Sequence, residues 1–247
     1  MNKMNNFEKL YQFHGKRRSN QLLNISLKNK YIWFKNPKVA SSTLSKSLQL
    51  LEVEEVSFLK TPPHPGIEGS THVKPYQIAE EDRLKLVEGG DFFRFTFVRN
   101  PYIRLVSAYQ DKVANNKAEK IIVLNMMGMP DADPETTEIS FEEFVQVASE
   151  HAPERQDQHW MPQVYTTCAY WTNHDFVGKM ETFGEDFDKL SSLLKGNLKD
   201  HYQYHAPHRS NAKESYKDYY RSDDIRAKVI DMYGEDFERF GYSTDLT

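Results

Sequence analysis

Tyr31-Ile32-Trp33-Phe34-Lys35-Asn36-Pro37-Lys38-Val39-Ala40-Ser41-Ser42-Thr43-Leu44 reads as a strand, a break and a helix start in succession. The aromatic and β-branched run Tyr31–Phe34 predicts a buried strand. Asn36-Pro37 ends it, because proline cannot donate to a ladder. Small residues fill the loop from Val39 to Thr43, and Leu44, Leu48 and Leu51 then recur at helical spacing. The same grammar returns further on. Residues 92–98 predict a strand, Arg99-Asn100-Pro101 breaks it with proline placed to open a helix, and Leu105, Ala108 and Tyr109 continue a helical stripe. Ser140-Phe141-Glu142-Glu143 is a capping box for a helix through Val147. Residues 174–180 predict another strand, followed by a helix bearing Phe187, Leu190, Leu193 and Leu194. A last helix is expected over residues 223–233, stopped by Gly234. Strands alternating with helices predict an α/β fold with a mostly parallel central sheet flanked by helices in three layers.

Composition bounds the rest. The 247 residues suit a single domain, with residues 1–29 as an N-terminal extension and 30–247 as the core. Apolar residues make up 38% and charged residues 28%, which excludes a disordered chain. A net charge of −4 gives no reason to expect nucleic acid as a partner. One cysteine, Cys168, excludes an internal disulfide framework and reads as a small buried hydrophobe. No apolar run approaches the ~20 residues of a membrane span, and no signal peptide is visible, so a cytoplasmic protein is expected.

Both strand–loop–helix units suit anions. A loop entering a helix points backbone N–H groups and the helix dipole at one spot. Lys38 to Thr43 adds a cationic point charge, hydroxyl donors and small residues that permit close approach. The Gly-x-x-x-x-Gly-Lys-Ser/Thr phosphate loop is absent. Taken alone, Ser41 or Ser42 could equally be a plain helix cap. Arg99 leaves the second strand, and Ser107 lies eight residues after it, about two helical turns. A salt-bridged Arg99 and a solvent-facing Ser107 are the bland alternative, but two anion-suited corners in one sheet are harder to dismiss.

Lys35 to Thr43 resembles the 5′-phosphosulfate loop of sulfotransferases, and Phe97-Val98-Arg99-Asn100-Pro101-Tyr102-Ile103-Arg104-Leu105-Val106-Ser107-Ala108-Tyr109 resembles their 3′-phosphate motif. His159-Trp160-Met161-Pro162-Gln163, Asp175-Phe176-Val177-Gly178-Lys179-Met180-Glu181-Thr182 and the ending from Tyr219 to Tyr242 are similar to the carbohydrate-type, family 2 branch. The resemblance implies a fold like the P-loop nucleoside triphosphate hydrolases. It also implies transfer of a sulfuryl group from 3′-phosphoadenosine 5′-phosphosulfate (PAPS) to an acceptor hydroxyl of a carbohydrate or polysaccharide, without a metal.

By that motif, Lys38 neutralises charge on the bridging and leaving oxygens, and Val39, Ala40, Ser41, Ser42 and Thr43 hold the 5′-phosphate. Arg99 and Ser107 grip the 3′-phosphate. His72 stands where many relatives have a histidine, often after a lysine, although Thr71 precedes it here. It is the candidate base, since an ordinary imidazole titrates near 6.5. His159 is its rival and a glutamate a third option; otherwise His159, with Trp160 and Gln163, would shape the acceptor side. The Arg-Lys-Gly segment of the small-molecule branch is missing; Arg209, in His208-Arg209-Ser210-Asn211, is its candidate substitute.

Residues 61–75, holding Pro62, Pro63, Pro65 and Pro75, and residues 117–138 are expected as excursions over the carboxyl edge of the sheet. The apolar patch at 121–129 could cover the acceptor, pack on the core or meet a second subunit. Two further readings stay open: a kinase-like phosphotransferase, and a non-catalytic module that binds nucleotide or anionic glycan.

Overall fold

The computed structural model describes residues 3–55, 66–115, 117–202 and 212–246. The described strands are β1 (Leu23–Ser26), β2 (Tyr31–Phe34), β3 (Phe93–Val98) and β4 (Phe176–Lys179). The helices are α1 (Asn6–Leu22), α2 (Ser41–Glu52), α3 (Glu80–Glu88), α4 (Pro101–Ala108), α5 (Lys117–Met126), α6 (Phe141–Ser149), α7 (Gln163–Thr166), α8 (Phe183–Leu193), α9 (Ala212–Tyr219) and α10 (Asp223–Phe240). Two compact units share the chain: Met1–Val98 with Tyr165–Pro207, and Arg99–Val164 with His208–Thr247.

The first unit carries the whole described sheet, in the order β1-β2-β3-β4. β2 pairs parallel with β3, and β3 parallel with β4, while β1 runs antiparallel to β2. The sheet is therefore mixed. Only residues 27–30 join β1 to β2, whereas a parallel crossover needs a dozen residues or more. Alternation along the strands then sorts side chains to two faces. Tyr31, Trp33, Phe95 and Phe97 pack with Leu44, Leu48 and Leu51 of α2 and with Phe187 and Leu190 of α8. Ile32 and Phe34 pack with Leu10 and Leu22 of α1 and Leu86 and Val87 of α3. This makes three layers within the unit. Residues 6–26, expected as an extension, thus supply a flanking helix and the edge strand. Cys168 is fully buried in the second of these clusters, and burial pushes its thiol up.

The second unit packs Tyr102, Leu105, Val106, Phe144, Val229 and Phe237 into one core. Ser140 caps α6 with the expected reciprocal Glu143 contact. The apolar patch is mostly helix α5, with Val123 and Leu124 in this core and Ile121 and Met129 exposed. The expected stop at Gly234 falls on a kink. Tyr233 departs from helical geometry (φ −114°, ψ 19°), so one helical segment of α10 ends there, and a second, with Asp236, Phe237 and Phe240 buried, runs on to Phe240. That segment ends at left-handed Gly241, where the Tyr242 N–H returns to the Phe237 carbonyl at 2.9 Å.

Candidate functional site

The loop from β2 to α2 is anchored at its base. The Lys35 N–H donates to the Leu22 carbonyl (2.8 Å), and buried Asn36 donates through Nδ2 to the Phe97 carbonyl (3.0 Å) while its Oδ1 accepts from Thr166 (2.8 Å). Beyond this anchor the backbone is strained. Lys38 (φ 68°) and Ala40 (φ 56°) both lie in the left-handed region although neither is glycine. Each such residue costs about 1–2 kcal/mol, and strain of this kind gathers where a backbone is shaped to clamp a ligand.

Ala40 is also the N-cap of α2, so no side chain caps the helix. Ser41, Ser42 and Thr43 sit inside its first turn instead. The plain capping role open to Ser41 or Ser42 is thereby excluded, and what is left is a first turn of N–H groups preceded by Lys35 and Lys38, a shape that favours an anion.

His72 belongs to the same unit. An antiparallel bridge between Ile25 and Val73, closed by N–H···O bonds of 3.0 and 2.9 Å, fixes its segment to β1. The imidazole is buried, with Nε2 2.8 Å from Tyr31 Oη; the backbone N–H of His72 donates to Ser70 Oγ (3.1 Å). Burial first, then the charges of Lys74 and Lys35, hold His72 down at about 3. Lys35 is lowered to about 8 by burial, and Lys74 to about 7 by burial and by Lys35. An ion that neutralised these lysines would strengthen His72 as a base. The imidazole is therefore neutral near pH 7, as a proton acceptor must be. Lys35 opens the loop motif and Lys74 lies two residues after His72, and no local sequence signal gives either a role at the imidazole.

In the second unit Arg99 is gripped by its backbone. Gln163 Oε1 accepts the Arg99 N–H at 2.9 Å, and Gln163 Nε2 donates to the Arg99 carbonyl at 2.8 Å. Gln163 is itself fixed by Asp236, which accepts the N–H groups of Gln163 and Val164 at 2.7 and 2.8 Å. Burial pushes the Asp236 carboxyl up to about 6 against those bonds. Asn100 caps α4 by accepting from Tyr102 and Ile103, with Pro101 opening the helix as expected. Ser107 is buried in α4, and so is Arg104, which donates to the Met161 and Gln158 carbonyls, each at 2.9 Å.

The three residues expected on the acceptor side differ in place. Trp160 and Gln163 are fully enclosed in the second unit, Trp160 standing edge-on to Phe144. Neither presents a surface to a ligand there, because the core and the Arg99 backbone occupy their side chains. His159 is partly accessible and pairs through Nδ1 with Asp157 at 2.5 Å. Arg209 lies outside the described residues. Lys38, Val39, Ala40, Ser41, Ser42, Thr43 and His72 thus belong to the first unit, and Arg99, Ser107, His159, Trp160 and Gln163 to the second.

A sequence model of the Sulfotransferase family matches residues 21–243. Carbohydrate sulfotransferase 12 of Xenopus laevis is 32% identical over 171 residues, covering 61% of this chain and 40% of that protein. Carbohydrate sulfotransferase 14 of Homo sapiens is 28% identical over 180 residues, covering 69% and 46%. Carbohydrate sulfotransferase 11 of Mus musculus is 29% identical over 186 residues, covering 68% and 51%. The match thus spans about half or less of these relatives' length. No solved structure matches. Among the described residues no helix is long and apolar enough to cross a membrane.

Proposed function

Because this chain belongs to the sulfotransferase family, we propose that it moves the sulfuryl group of PAPS to a hydroxyl of a carbohydrate. We read the three-layer unit accordingly as a sulfotransferase fold of the P-loop nucleoside triphosphate hydrolase type. The observation that carries the proposal is the strained entry to α2. Two non-glycine residues held left-handed around Val39, and a helix whose cap is an alanine, fit a loop shaped for a 5′-phosphosulfate rather than for its own side chains.

PAPS supplies the transferable sulfuryl group and a bisphosphate leaving group. Lys38 offsets the charge that grows on the leaving oxygen, and the N–H groups of Ser41, Ser42 and Thr43 hold the 5′-phosphate. Arg99 and Ser107 take the 3′-phosphate, with the Arg99 backbone set by Gln163. His72, neutral at working pH, accepts the proton of the acceptor hydroxyl. The names of the relatives, all carbohydrate sulfotransferases, are what favour a glycan over other alcohols.

His159 gives a second reading for the base, since Asp157 pairs with its Nδ1 in the way a carboxylate orients a catalytic imidazole.

Calorimetry with adenosine 3′,5′-bisphosphate tests the donor assignment: wild type binds, while Lys38→Ala and Arg99→Ala bind at least about tenfold more weakly, or ~1.4 kcal/mol. Absence of binding by folded wild-type protein sinks the proposal, and displacement by ATP but not by the bisphosphate favours a phosphotransferase. Turnover of labelled PAPS against a panel of glycans and simple alcohols identifies the acceptor. Loss of turnover in His159→Ala but not in His72→Ala transfers the base role to His159.

A further inference from the structure

The contacts around Tyr31 carry more than packing. Its hydroxyl has one proton and two close partners, Glu52 Oε1 at 2.9 Å and His72 Nε2 at 2.8 Å. The Glu52 carboxylate is an acceptor on every contact it makes here. Asn29 Nδ2 donates to Oε1 at 2.9 Å, and Ser26 Oγ donates to Oε2 at 3.0 Å. The Ser26 oxygen already accepts the Asn29 N–H at 2.8 Å, so its own proton points to Glu52. A carboxylate so placed claims the Tyr31 proton, because a charge-assisted O–H···O⁻ bond outcompetes a neutral one. The Tyr31 oxygen can then only accept, and the partner that must donate to it is His72 Nε2–H.

We infer that Tyr31 and Glu52 form a positioning relay that fixes His72 as the Nε2–H tautomer, leaving the Nδ1 lone pair as its proton acceptor. No described residue hydrogen-bonds Nδ1. The charges facing the ring are Lys74 from its own segment, Lys35 from the loop after β2, and Glu52 of α2 through Tyr31. The two lysines oppose imidazolium formation; the relay favours it. When Nδ1 takes a proton, Nε2–H···Oη–H···⁻OOC becomes a chain that ends on a negative charge, and the new positive charge is met without any further proton moving.

The role in catalysis rests on the sulfotransfer reading; the tautomer does not. In that reaction the acceptor O–H bond breaks, its proton going to His72 Nδ1, as the acceptor oxygen bonds to sulfur. The sulfur–oxygen bond to the leaving phosphate breaks and its electron pair leaves with the bisphosphate.

Two measurements separate the claims. Long-range ¹H–¹⁵N correlation spectra of the imidazoles in the intact wild-type chain near pH 7, with His72→Gln to assign the signal, report which nitrogen bears the proton. The relay requires Nε2–H; a protonated Nδ1 or an imidazolium overturns it. In Tyr31→Phe the tautomer loses its constraint, and both Tyr31→Phe and Glu52→Gln lower kcat by about 10- to 100-fold. The donor KM holds, and the acid limb of the kcat profile moves to lower pH as the imidazolium loses support. Unchanged kcat in both folded variants overturns the positioning role. An Nε2–H signal in a protein that binds no adenosine bisphosphate keeps the relay and counts against the sulfotransfer reading alone.

Discussion

Replacing Gln163 with methionine tests how the Arg99 corner is held. The side chain is fully buried, and methionine fills a similar volume while offering neither an acceptor for the Arg99 N–H nor a donor for its carbonyl. Each backbone group left without its partner costs about 1–3 kcal/mol. Arg99 is only half-buried, so water recovers part of that, and a net loss of about 2–4 kcal/mol is expected. For a chain of this size that lowers Tm by roughly 4–16 °C. Gln163→Glu should be worse than methionine, since its second oxygen faces the Arg99 carbonyl and its charge is buried beside Asp236. Calorimetric melting gives the first number, and titration with adenosine 3′,5′-bisphosphate gives the second, where an Arg99 freed from its grip should bind about tenfold more weakly. A methionine variant melting within ~2 °C of wild type refutes the energetic argument. A variant that melts early yet binds the bisphosphate with wild-type affinity refutes the link between this grip and the phosphate.

Two further outcomes follow from the same structure. His14 and His72 are both held down at about 3, chiefly by burial, so the unfolded chain takes up protons near 6.5 that the folded chain refuses. Stability is therefore complete above that pH and falls below it. Between pH 7 and 5.5 each histidine removes on the order of 1 kcal/mol, raised Asp236 returns somewhat less than one histidine removes, and lowered Lys74 removes a little more, for a net loss of roughly 1–2 kcal/mol. Urea midpoints over that range check it, and a flat profile would be incompatible with buried neutral imidazoles. Ala40→Gly relieves the left-handed backbone and should stabilise the chain by up to about 1 kcal/mol after the entropy that glycine adds to the unfolded state. Ala40→Val should destabilise it, and an equal Tm for all three proteins would remove the strain on which the loop argument stands.

The elements that were legible in the sequence are those whose signal is local. β2, β3 and β4 announced themselves by aromatic and β-branched runs, α2 by its leucine spacing and α6 by its capping box, and all were found where expected. α1 and β1 were missed. α1 is polar for most of its length and broken at Gly15 (φ 69°, ψ 161°), and β1 is a short edge strand whose apolar residues become meaningful only once α1 and α3 cover them. Gly234 marked a real break, the kink at Tyr233, but the helical segment after it was not legible, because its apolar positions Phe237 and Phe240 gain meaning only once the fold buries them.

The residue types of the candidate site were visible for the same local reason, and their working state was not. Nothing in Lys38-Val39-Ala40 declares a left-handed backbone, since the residue that tolerates it best is absent there and the conformation is imposed by the anchored loop around it. His72 could be proposed as a base from its place in the chain. Its protonation depends on burial, on two lysines, and on a tyrosine 41 residues away in sequence. Gln163, read as a wall for the acceptor, proves to hold the backbone of a residue 64 positions earlier. A motif records which groups a reaction needs. Whether an imidazole can accept a proton, and at which nitrogen, is decided by partners brought together only when the chain folds, so substitutions at Tyr31, Glu52 and Gln163 should report on the chemistry as sharply as substitutions within the motifs themselves.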